Sequence, residues 1–315
     1  MTAFREVASF DVVHGARAWP WVSLTSDRVA YASATHIHTR GIDGPGASFE
    51  LPADVPLTMF ALGRDRVAIA STEVLVVGEK RVRLDALLGE ATLSALAFDR
   101  TGQRLWLSAE TPKETIIALV DATSLEAIGT SKSPAFPRPS LHEIHVHPID
   151  DAALVLAACG EDGTFARVVG FAGSELSAVP SALDEGSIAA GFVGFSADGA
   201  RVHLVEADEL RTHAWPTLHE LSSVPLADDF VSSFSGAVLG QDVFVDGEYA
   251  DSQQDAVMQF DVAAIHGIVL PGPAPTGMWA GRLGANAIVT IEPKGDPARA
   301  RVLERIATKR APGIS

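Results

Sequence analysis

The sequence predicts an all-β protein, a seven-bladed β-propeller of four-stranded antiparallel blades whose last blade is closed by the N-terminal strand. Two observations predict this fold. Apolar and polar residues alternate with a period of two in seven segments, each containing a short polar or glycine turn. The segments begin near Trp19, Leu57, Leu93, His142, Gly191, Val231 and Gly277, a mean spacing of about 43 residues, which is typical of one propeller blade.

The stretch VGFSADGARVHLVEADELRTHAWPTLHELSSVPL, residues 193–226, shows the repeat most clearly. Val193 and Phe195 alternate with small residues, and a Ser-Ala-Asp-Gly turn follows. Asp198 can bond the local backbone there, and Gly199 accepts a positive φ. Polar residues at 208–209 and Trp-Pro-Thr at 215–217 mark two further turns. The stretch is therefore predicted to be a four-stranded antiparallel meander.

The seven copies of the repeat match its pattern of alternation to different degrees. The segments LAFDRTGQRLWLSAE, IHVHPIDDAALVLAACGED, FALGRDRVAIASTEV and VSLTSDRVAYASATH repeat the same alternation around a turn. The copies SFSGAVLGQDVFVDGEY and MWAGRLGANAIVTIEPKGD are fainter, so the pattern by itself leaves six blades open. A helical solenoid is excluded because its apolar residues would recur every three or four positions.

The chain ends predict how the ring closes. The last copy supplies only three strands, MWAGR, NAIVTIE and ARARVLERI, while REVASFDVV is left over before the first copy. We therefore predict that residues 5–13 complete the last blade, because this pairing removes two open strand edges. No interior linker marks a domain boundary. The sequence predicts one propeller domain over residues 1–310 and a short C-terminal tail at 311–315.

The turn motifs FDRTGQRL and FSADGARV, together with VHP, resemble those of the WD40-like and YVTN propeller superfamily. In that superfamily, F-S-P-D-G and F-H-P turns join the first two strands of each blade. The resemblance extends over essentially the whole chain. The sequence lacks the Trp-Asp dipeptide and the Gly-His pair of true WD40 repeats, so their Asp-His-Ser-Trp bonding network is not expected. The resemblance implies the superfamily and its fold, without a named family within it.

Charge and cysteine content exclude several classes of protein. The 315 residues include 24 basic and 40 acidic side chains, a net charge of −16. Direct binding to nucleic acid or to an anionic membrane is therefore not expected, since both need lysine and arginine contacts to phosphate. Residues 1–15 lack the leader of a signal peptide, and the single cysteine, Cys159, excludes an intramolecular disulfide. We expect a cytoplasmic protein with Cys159 buried in its apolar segment.

The segment LHEIHVHP places His142, Glu143, His145 and His147 within six positions. On a strand, the last three would share a face and could ligate zinc. However, VHP stands where the superfamily has its turn, so His147 is expected to be a turn residue. Adjacent residues on one strand also rarely converge on one ion. The sequence therefore predicts no metal and no cofactor, and it contains no nucleophile-elbow, P-loop or dinucleotide-binding motif.

The loops predict a binding surface. In a propeller, the blade-to-blade connections and the loops between the second and third strands of each blade emerge on the same face. We predict that this face binds a protein partner through aromatic residues, acids and one arginine: Trp19, Phe136, Arg138, Asp228, Asp229, Phe230, Tyr249 and Asp251. Trp19 and Phe230 equally suit packing between blades. Trp106 and Trp279 lie within strands and are expected in the core.

These features favour a non-catalytic scaffold or adaptor subunit of a larger assembly, whose partner carries a basic patch. One alternative is a cytoplasmic enzyme that resembles the sugar-lactone hydrolases, which also use a seven-bladed propeller. Glu143, His145 and Arg282 are its candidate residues at the central channel. Another alternative is a sensor that binds a small ligand in the channel. The sequence leaves the oligomeric state open.

Overall fold

The computed structural model describes residues 2–12, 22–137, 141–183, 187–188, 190–261, 267–270, 277–292 and 297–307. Within these ranges the chain forms seven separate antiparallel sheets, each a meander, arranged as the blades of a ring. The predicted β-propeller is thereby confirmed, and the number of blades is seven. The predicted boundary between propeller and tail, at residues 310 and 311, lies outside the described residues.

The first three blades occupy residues 22–134. Blade 1 comprises β2 (Val22–Leu24), β3 (Arg28–Ala32), β4 (His36–Gly41) and β5 (Gly44–Glu50). Blade 2 comprises β6 (Met59–Leu62), β7 (Val67–Ala70), β8 (Val74–Val77) and β9 (Lys80–Arg83), and the short helix α1 (Leu84–Leu88) follows it. Blade 3 comprises β10 (Thr92–Phe98), β11 (Arg104–Glu110), β12 (Glu114–Asp121) and β13 (Ala127–Pro134).

The other four blades complete the ring. Blade 4 comprises β14 (Leu141–Val146), β15 (Ala152–Ala158), β16 (Thr164–Ala172), β17 (Glu175–Val179) and the two-residue β18 (Ser187–Ile188). Blade 5 comprises β19 (Gly191–Phe195), β20 (Arg201–Val205), β21 (Glu209–Ala214) and β22 (Glu220–Pro225). Blade 6 comprises β23 (Phe230–Leu239), β24 (Asp242–Tyr249), β25 (Asp255–Asp261) and β26 (Gly267–Val269). Blade 7 comprises β27 (Met278–Leu283), β28 (Ala287–Glu292), β29 (Ala298–Ala307) and β1 (Thr2–Val12).

The first strand of each blade lies innermost and lines a central channel. Inner strands of neighbouring blades contact one another from β2 through β6 and β10 to β14, and from β19 through β23 and β27 back to β2. Stacked rings of His145 and Phe192 join blades 4 and 5. Because each blade packs both of its faces against neighbours, a middle strand can be apolar on both faces, as β7 is throughout. The predicted core residues Trp106 and Trp279 are buried.

The N-terminal strand closes the last blade, as predicted. β1 pairs antiparallel with β29 from Thr2 opposite Ala307 to Val12 opposite Ala298. The pairing begins three residues before the predicted start at position 5, and residue 13 lies outside the described ranges. One blade therefore contains both ends of the described chain, so the ring is closed by hydrogen bonds between them.

A β-bulge in β1 lets this strand contact the blades on both sides. The register shifts between Glu6 and Ala8, which reverses the alternation of side chains along the strand. Phe4 consequently packs against Phe244 of blade 6, with ring centroids 5.6 Å apart. Phe10 stacks on Tyr31 of blade 1 at 4.1 Å. The closing strand thus ties blades 6, 7 and 1 together.

The turn of blade 4 is built around His147, which confirms its predicted place. Its Nδ1 accepts the N–H of Asp150 at 2.8 Å, and its Nε2 donates to the carbonyl of Gly199 in the blade 5 turn, also at 2.8 Å. The imidazole stacks on Trp215 with ring centroids 4.6 Å apart. Both nitrogens of this buried ring therefore serve turn geometry and the contact between blades 4 and 5.

None of the helices in the described part of the chain has the length and apolar content needed to cross a membrane.

Candidate functional site

Two surfaces follow from the order of strands in each blade. The upper face carries the connections from one blade to the next and the loops between second and third strands. The lower face carries the loops between first and second and between third and fourth strands. The sequence-predicted binding residues that the structure describes belong to upper-face loops or to the strand ends beside them.

The structure brings four of the predicted residues together on blade 6. Asp228 and Asp229 are exposed in the connection from β22 to β23, and Asp251 is exposed in the loop from β24 to β25. The N–H of Ala250 donates to the carbonyl of Asp229 at 2.8 Å, which joins the two loops. Tyr249 is half-buried at the end of β24. The three carboxylates form one acidic patch, and the phenol of Tyr249 lies beside it.

The two predicted phenylalanines are buried. Phe230 and Phe136 are each 4% exposed. Phe230 packs in the core between blades 5 and 6, and Phe136 contacts the Arg167 guanidinium at 4.4 Å from its ring centroid. A partner could contact the loops that these rings position, but not the buried rings themselves. Their role in binding stays a prediction. Trp19 and Arg138 lie outside the described residues.

Acidic side chains are distributed unequally between the two faces. On the lower face, neighbouring arginines pair with four acids of the turns: Arg28 with Asp27, Arg66 with Asp65, and Arg104 with Asp99 and Asp151. The exposed Asp43, Glu79 and Asp198 of this face have no salt bridge among the described residues. On the upper face, Arg81 pairs with Asp54 and Arg83 with Asp85. On the upper face, no salt bridge among the described residues involves these exposed acids: Glu73, Glu90, Glu161, Asp162, Asp208, Asp228, Asp229, Asp251 and Asp255. Lys113 is the only lysine or arginine in the described loops of this face. The upper face therefore carries unbalanced negative charge.

One group of upper-face acids has a geometry that could hold a metal ion, namely Glu206, Asp208 and Glu209. Arg211 lies against this group, with its Nε 3.1 Å from Glu206 and its NH2 in contact with Glu209. The guanidinium already balances part of the charge that a cation would neutralise. These residues are therefore part of the acidic face and are not interpreted as a metal centre.

The sequence-predicted histidine cluster is divided among three environments. His142 is buried against blade 3, His145 stacks on Phe192 of blade 5, and His147 lies in the turn already described. Two members of the predicted cluster are hydrogen-bonded to each other, His145 Nε2 and Glu143 Oε2, at 2.9 Å.

A buried Ser-His-Glu chain links blades 3 and 4, and sequence reasoning missed it. Ser108 Oγ lies 2.9 Å from His142 Nδ1, and His142 Nε2 lies 3.4 Å from Glu110 Oε1. Thr115 Oγ1 also donates to Glu110, and burial raises the pKa of this carboxyl. Ser108 is fully buried, so no substrate reaches its hydroxyl. The chain therefore has a structural role, joining β11 to β14.

Three other buried groups are structural. Burial lowers the pKa of His203 to about 4, and it also lowers the pKa of His213. Both imidazoles lie within blade 5, where Nδ1 bonds Thr212 and Leu218 respectively. Cys159 is buried as predicted, and burial raises the pKa of its thiol. A thiol held in its neutral form is a poor nucleophile.

The described inner strands carry only two charged residues, Glu143 in β14 and Arg282 in β27. The Glu143 side chain is 46% exposed, although its strand is the innermost of blade 4. Partial desolvation raises its pKa, but the hydrogen bond and charge of His145 outweigh this effect and lower the pKa overall. Arg282 lies toward the lower end of β27 in blade 7. No contact joins it to Glu143 or His145 in the described part of the structure, so the three residues of the enzymatic alternative are not assembled.

The inner strand of blade 6 contains an unusual bulge. In β10, β19 and β27 the pairing with the second strand skips one residue, whereas in β23 it skips from Ser232 to Ser235. One of the two extra residues, Phe234, has a φ of 56° and is 44% exposed. Few bulky side chains adopt this left-handed conformation. The two-residue bulge therefore exposes an aromatic ring, and the one-residue bulges of β10, β19 and β27 contain no equivalent residue.

Asp246 lies directly across the ladder from this bulge. It is buried, and Ser235 Oγ donates to its Oδ2 at 3.2 Å. Burial raises the pKa of Asp246 to about 8, and the hydrogen bonds from Ser235 and from the main chain of Gly247 and Trp279 offset only part of that effect. At neutral pH this carboxyl is therefore mostly protonated in the folded protein.

Replacing Asp246 with Asn is expected to change how stability depends on pH. Folded Asp246 keeps its proton up to about pH 8, whereas an unfolded carboxyl releases it near pH 4. The free energy of unfolding should therefore fall between these values, by at most about 1.4 kcal/mol per pH unit. Asp246→Asn lacks this contribution, so its stability relative to wild type should rise from pH 5 to pH 8. Urea unfolding at several pH values measures the difference, with the exposed Asp43→Asn as control. Parallel curves for wild type and Asp246→Asn would contradict the assignment.

Comparison with solved structures supports the description of the fold. Crystal structures of BBS1N in complex with ARL6DN, from crystals soaked with mercury and with lead, resemble this chain with TM-scores of 0.54 and 0.55. Sequence identity is 12% and 13%, and each comparison covers 97% of this chain and 97% of the matched chain. No protein-family model and no curated protein matches the sequence. At this identity, the chain is similar to these structures in fold, a seven-bladed β-propeller.

Proposed function

We propose that the chain is a protein-interaction propeller of the WD40-like superfamily, acting in the cytoplasm as a scaffold or adaptor subunit. Its upper face docks on a basic surface of a protein partner. The observation that carries this proposal is the excess of exposed acids without a salt bridge in the described loops of one face, where Lys113 is the only lysine or arginine. On the opposite face, four acids of the turns are paired with arginines.

Electrostatics supports this choice of face and partner. Exposed carboxylates of like sign on one surface attract a positively charged partner and repel an acidic one, so they influence specificity and association rate. At physiological ionic strength their field extends over a screening length of about 8 Å, so docking should weaken as salt increases. Tyr249, half-buried beside Asp228, Asp229 and Asp251, adds a residue type that is enriched at binding hot spots.

The similar structures offer a further argument by analogy. The BBS1N propeller was crystallised in complex with another protein, ARL6DN. A propeller of matching length and topology therefore serves as a protein-binding surface elsewhere. The identity of 12% carries no partner from that complex to this chain.

Charge reversal on each face tests the proposal. Asp228→Lys with Asp229→Lys changes the acidic patch, and Asp43→Lys with Glu79→Lys makes the same change in net charge on the lower face. In pull-downs from native lysate at low and moderate salt, we expect the upper-face variant to lose a stoichiometric partner of the wild type, by about tenfold or more. The lower-face variant should keep that partner. Equal loss in both variants, or retention in both, would contradict docking through the upper face.

A further inference from the structure

The inner strands near the upper end of the central channel carry polar and aromatic side chains that do not belong to the acidic loops. Glu143 is the only carboxylate on the described inner strands, and its side chain is 46% exposed to solvent. Its Oε2 bonds His145, while no hydrogen bond to its Oε1 occurs among the described residues. One carboxylate oxygen is therefore available to a ligand on inner strands whose other charged residue, Arg282, lies toward the lower end of β27.

Direct contacts continue this wall from blade 4 to blade 6. The His145 ring stacks on Phe192 of blade 5, with centroids 3.6 Å apart and planes inclined by 14°. Gly191, the neighbour of Phe192 in β19, packs against the main chain of Phe234 in blade 6. Glu143, Phe192 and Phe234 therefore lie on successive inner strands, those of blades 4, 5 and 6.

Exposed apolar side chains lie on the blade 6 and blade 7 side of this surface. The ring of Phe234 is held toward solvent by the two-residue bulge, and a left-handed conformation of this kind costs of order 1–3 kcal/mol. Val231 near the start of β23 and Met278 at the start of β27 are 43% and 41% exposed. Both strands begin at the upper face, so these side chains lie at the upper ends of two neighbouring inner strands.

We propose that the channel mouth binds an organic cation, an ammonium or guanidinium group carried on an apolar body. Glu143 is its counter-ion, and Phe234 offers a ring face to the cation or to its apolar body. A carboxylate forms strong charge-assisted hydrogen bonds with such groups, and an aromatic ring attracts a cation within about 6 Å. Val231 and Met278 contact the apolar part. Anions are disfavoured by Glu143 and by the surrounding acidic loops.

Methionine methyl groups provide a direct test. The chain has four methionines, of which Met278 is exposed at the mouth while Met59 and Met258 are 3% and 2% exposed in the core. Methyl NMR of protein labelled with ¹³C-methyl methionine therefore contains one reporter and two internal references, and Met278→Leu assigns the reporter. Phenethylamine is the free cationic probe and 2-phenylethanol its neutral analogue. The capped dipeptide acetyl-Phe-Arg-amide represents the same chemistry on a polypeptide.

We expect phenethylamine, the dipeptide or both to shift the Met278 methyl signal without moving the two buried references. Equilibrium dialysis, which does not depend on the reporter, should show that 2-phenylethanol binds about tenfold more weakly. Glu143→Gln keeps a hydrogen-bonding group for His145 but removes the charge, and it should weaken the cation about tenfold. Phe234→Asn tolerates the positive φ and should weaken it similarly. Glu79→Gln on the lower face is the matched control and should bind like wild type.

Two results would overturn the proposal: no cationic probe binds in dialysis, or Glu143→Gln binds the cation as well as wild type does. Binding of phenethylamine assigns the site to free amines, and binding of the dipeptide alone assigns it to a side chain of a polypeptide. These probes contain no docking partner. Failure here would therefore leave the charge-reversal test of the upper face unaffected.

Discussion

Removal of residues 1–13 is expected to abolish soluble, cooperatively folded protein. The deletion takes away β1 and leaves the outer edge of β29 without a partner over the whole length of their ladder. An unpaired edge of this length is a template for aggregation. The contacts of Phe4 with blade 6 and of Phe10 with blade 1 are lost at the same time. Solubility, size-exclusion chromatography and thermal melting measure the effect, and a soluble deletion protein with a cooperative transition would contradict closure by β1.

Smaller changes in β1 distinguish the contribution of strand pairing to stability from that of side-chain packing. Phe4→Ala and Phe10→Ala keep the ladder but remove a ring contact. Each should lower the free energy of unfolding by about 1–3 kcal/mol, because both rings are only partly buried.

Deletion of Val7 alone should lower the free energy of unfolding more than Val7→Ala does. Without the bulge, the side chains on one side of position 7 would point to the opposite face of the blade. Equal stability of the two Val7 variants would contradict this role of the bulge.

The second large effect is expected from Gly191→Ala. A Cβ at this position would lie 1.8 Å from the carbonyl oxygen of Phe234 and 2.5 Å from its carbonyl carbon. Because these are main-chain atoms, the clash cannot be relieved by a side-chain rotation. Blades 5 and 6 would have to separate or the bulge would have to rearrange, at a cost of about 2 kcal/mol or more.

Urea unfolding of Gly191→Ala and Gly41→Ala measures this effect with a matched control. An added Cβ at Gly41 meets its nearest atom, the Asp27 carbonyl oxygen, at 3.4 Å, which is an ordinary contact. Gly41→Ala should therefore change stability by no more than about 0.5 kcal/mol. If both variants unfold like wild type, the close approach of β19 to the Phe234 main chain is wrong.

The binding surface was predictable only in part. Loop order placed Asp228, Asp229, Tyr249 and Asp251 on one face, and the structure brings them together on blade 6. Sequence alternation could not distinguish buried Phe230 from an exposed anchor, because the first residue of an inner strand can face the neighbouring blade or the solvent. The concentration of unpaired acids on the upper face also needed the structure, since it depends on which acids arginines can reach.

The sequence by itself determined the architecture: a ring of four-stranded blades in order, with the N-terminal strand completing the last. It left the choice between six and seven blades open, and the structure shows seven. These features are local, because alternation with a period of two, turn residues and the length of the repeat depend on neighbours in the chain. Tertiary structure alone decided the bulge in β1, the exposure of Phe234, the proton held by Asp246 and the Ser108–His142 link. Each of these results from strand pairing or packing between residues that are not neighbours in the chain, and only the folded protein fixes those contacts.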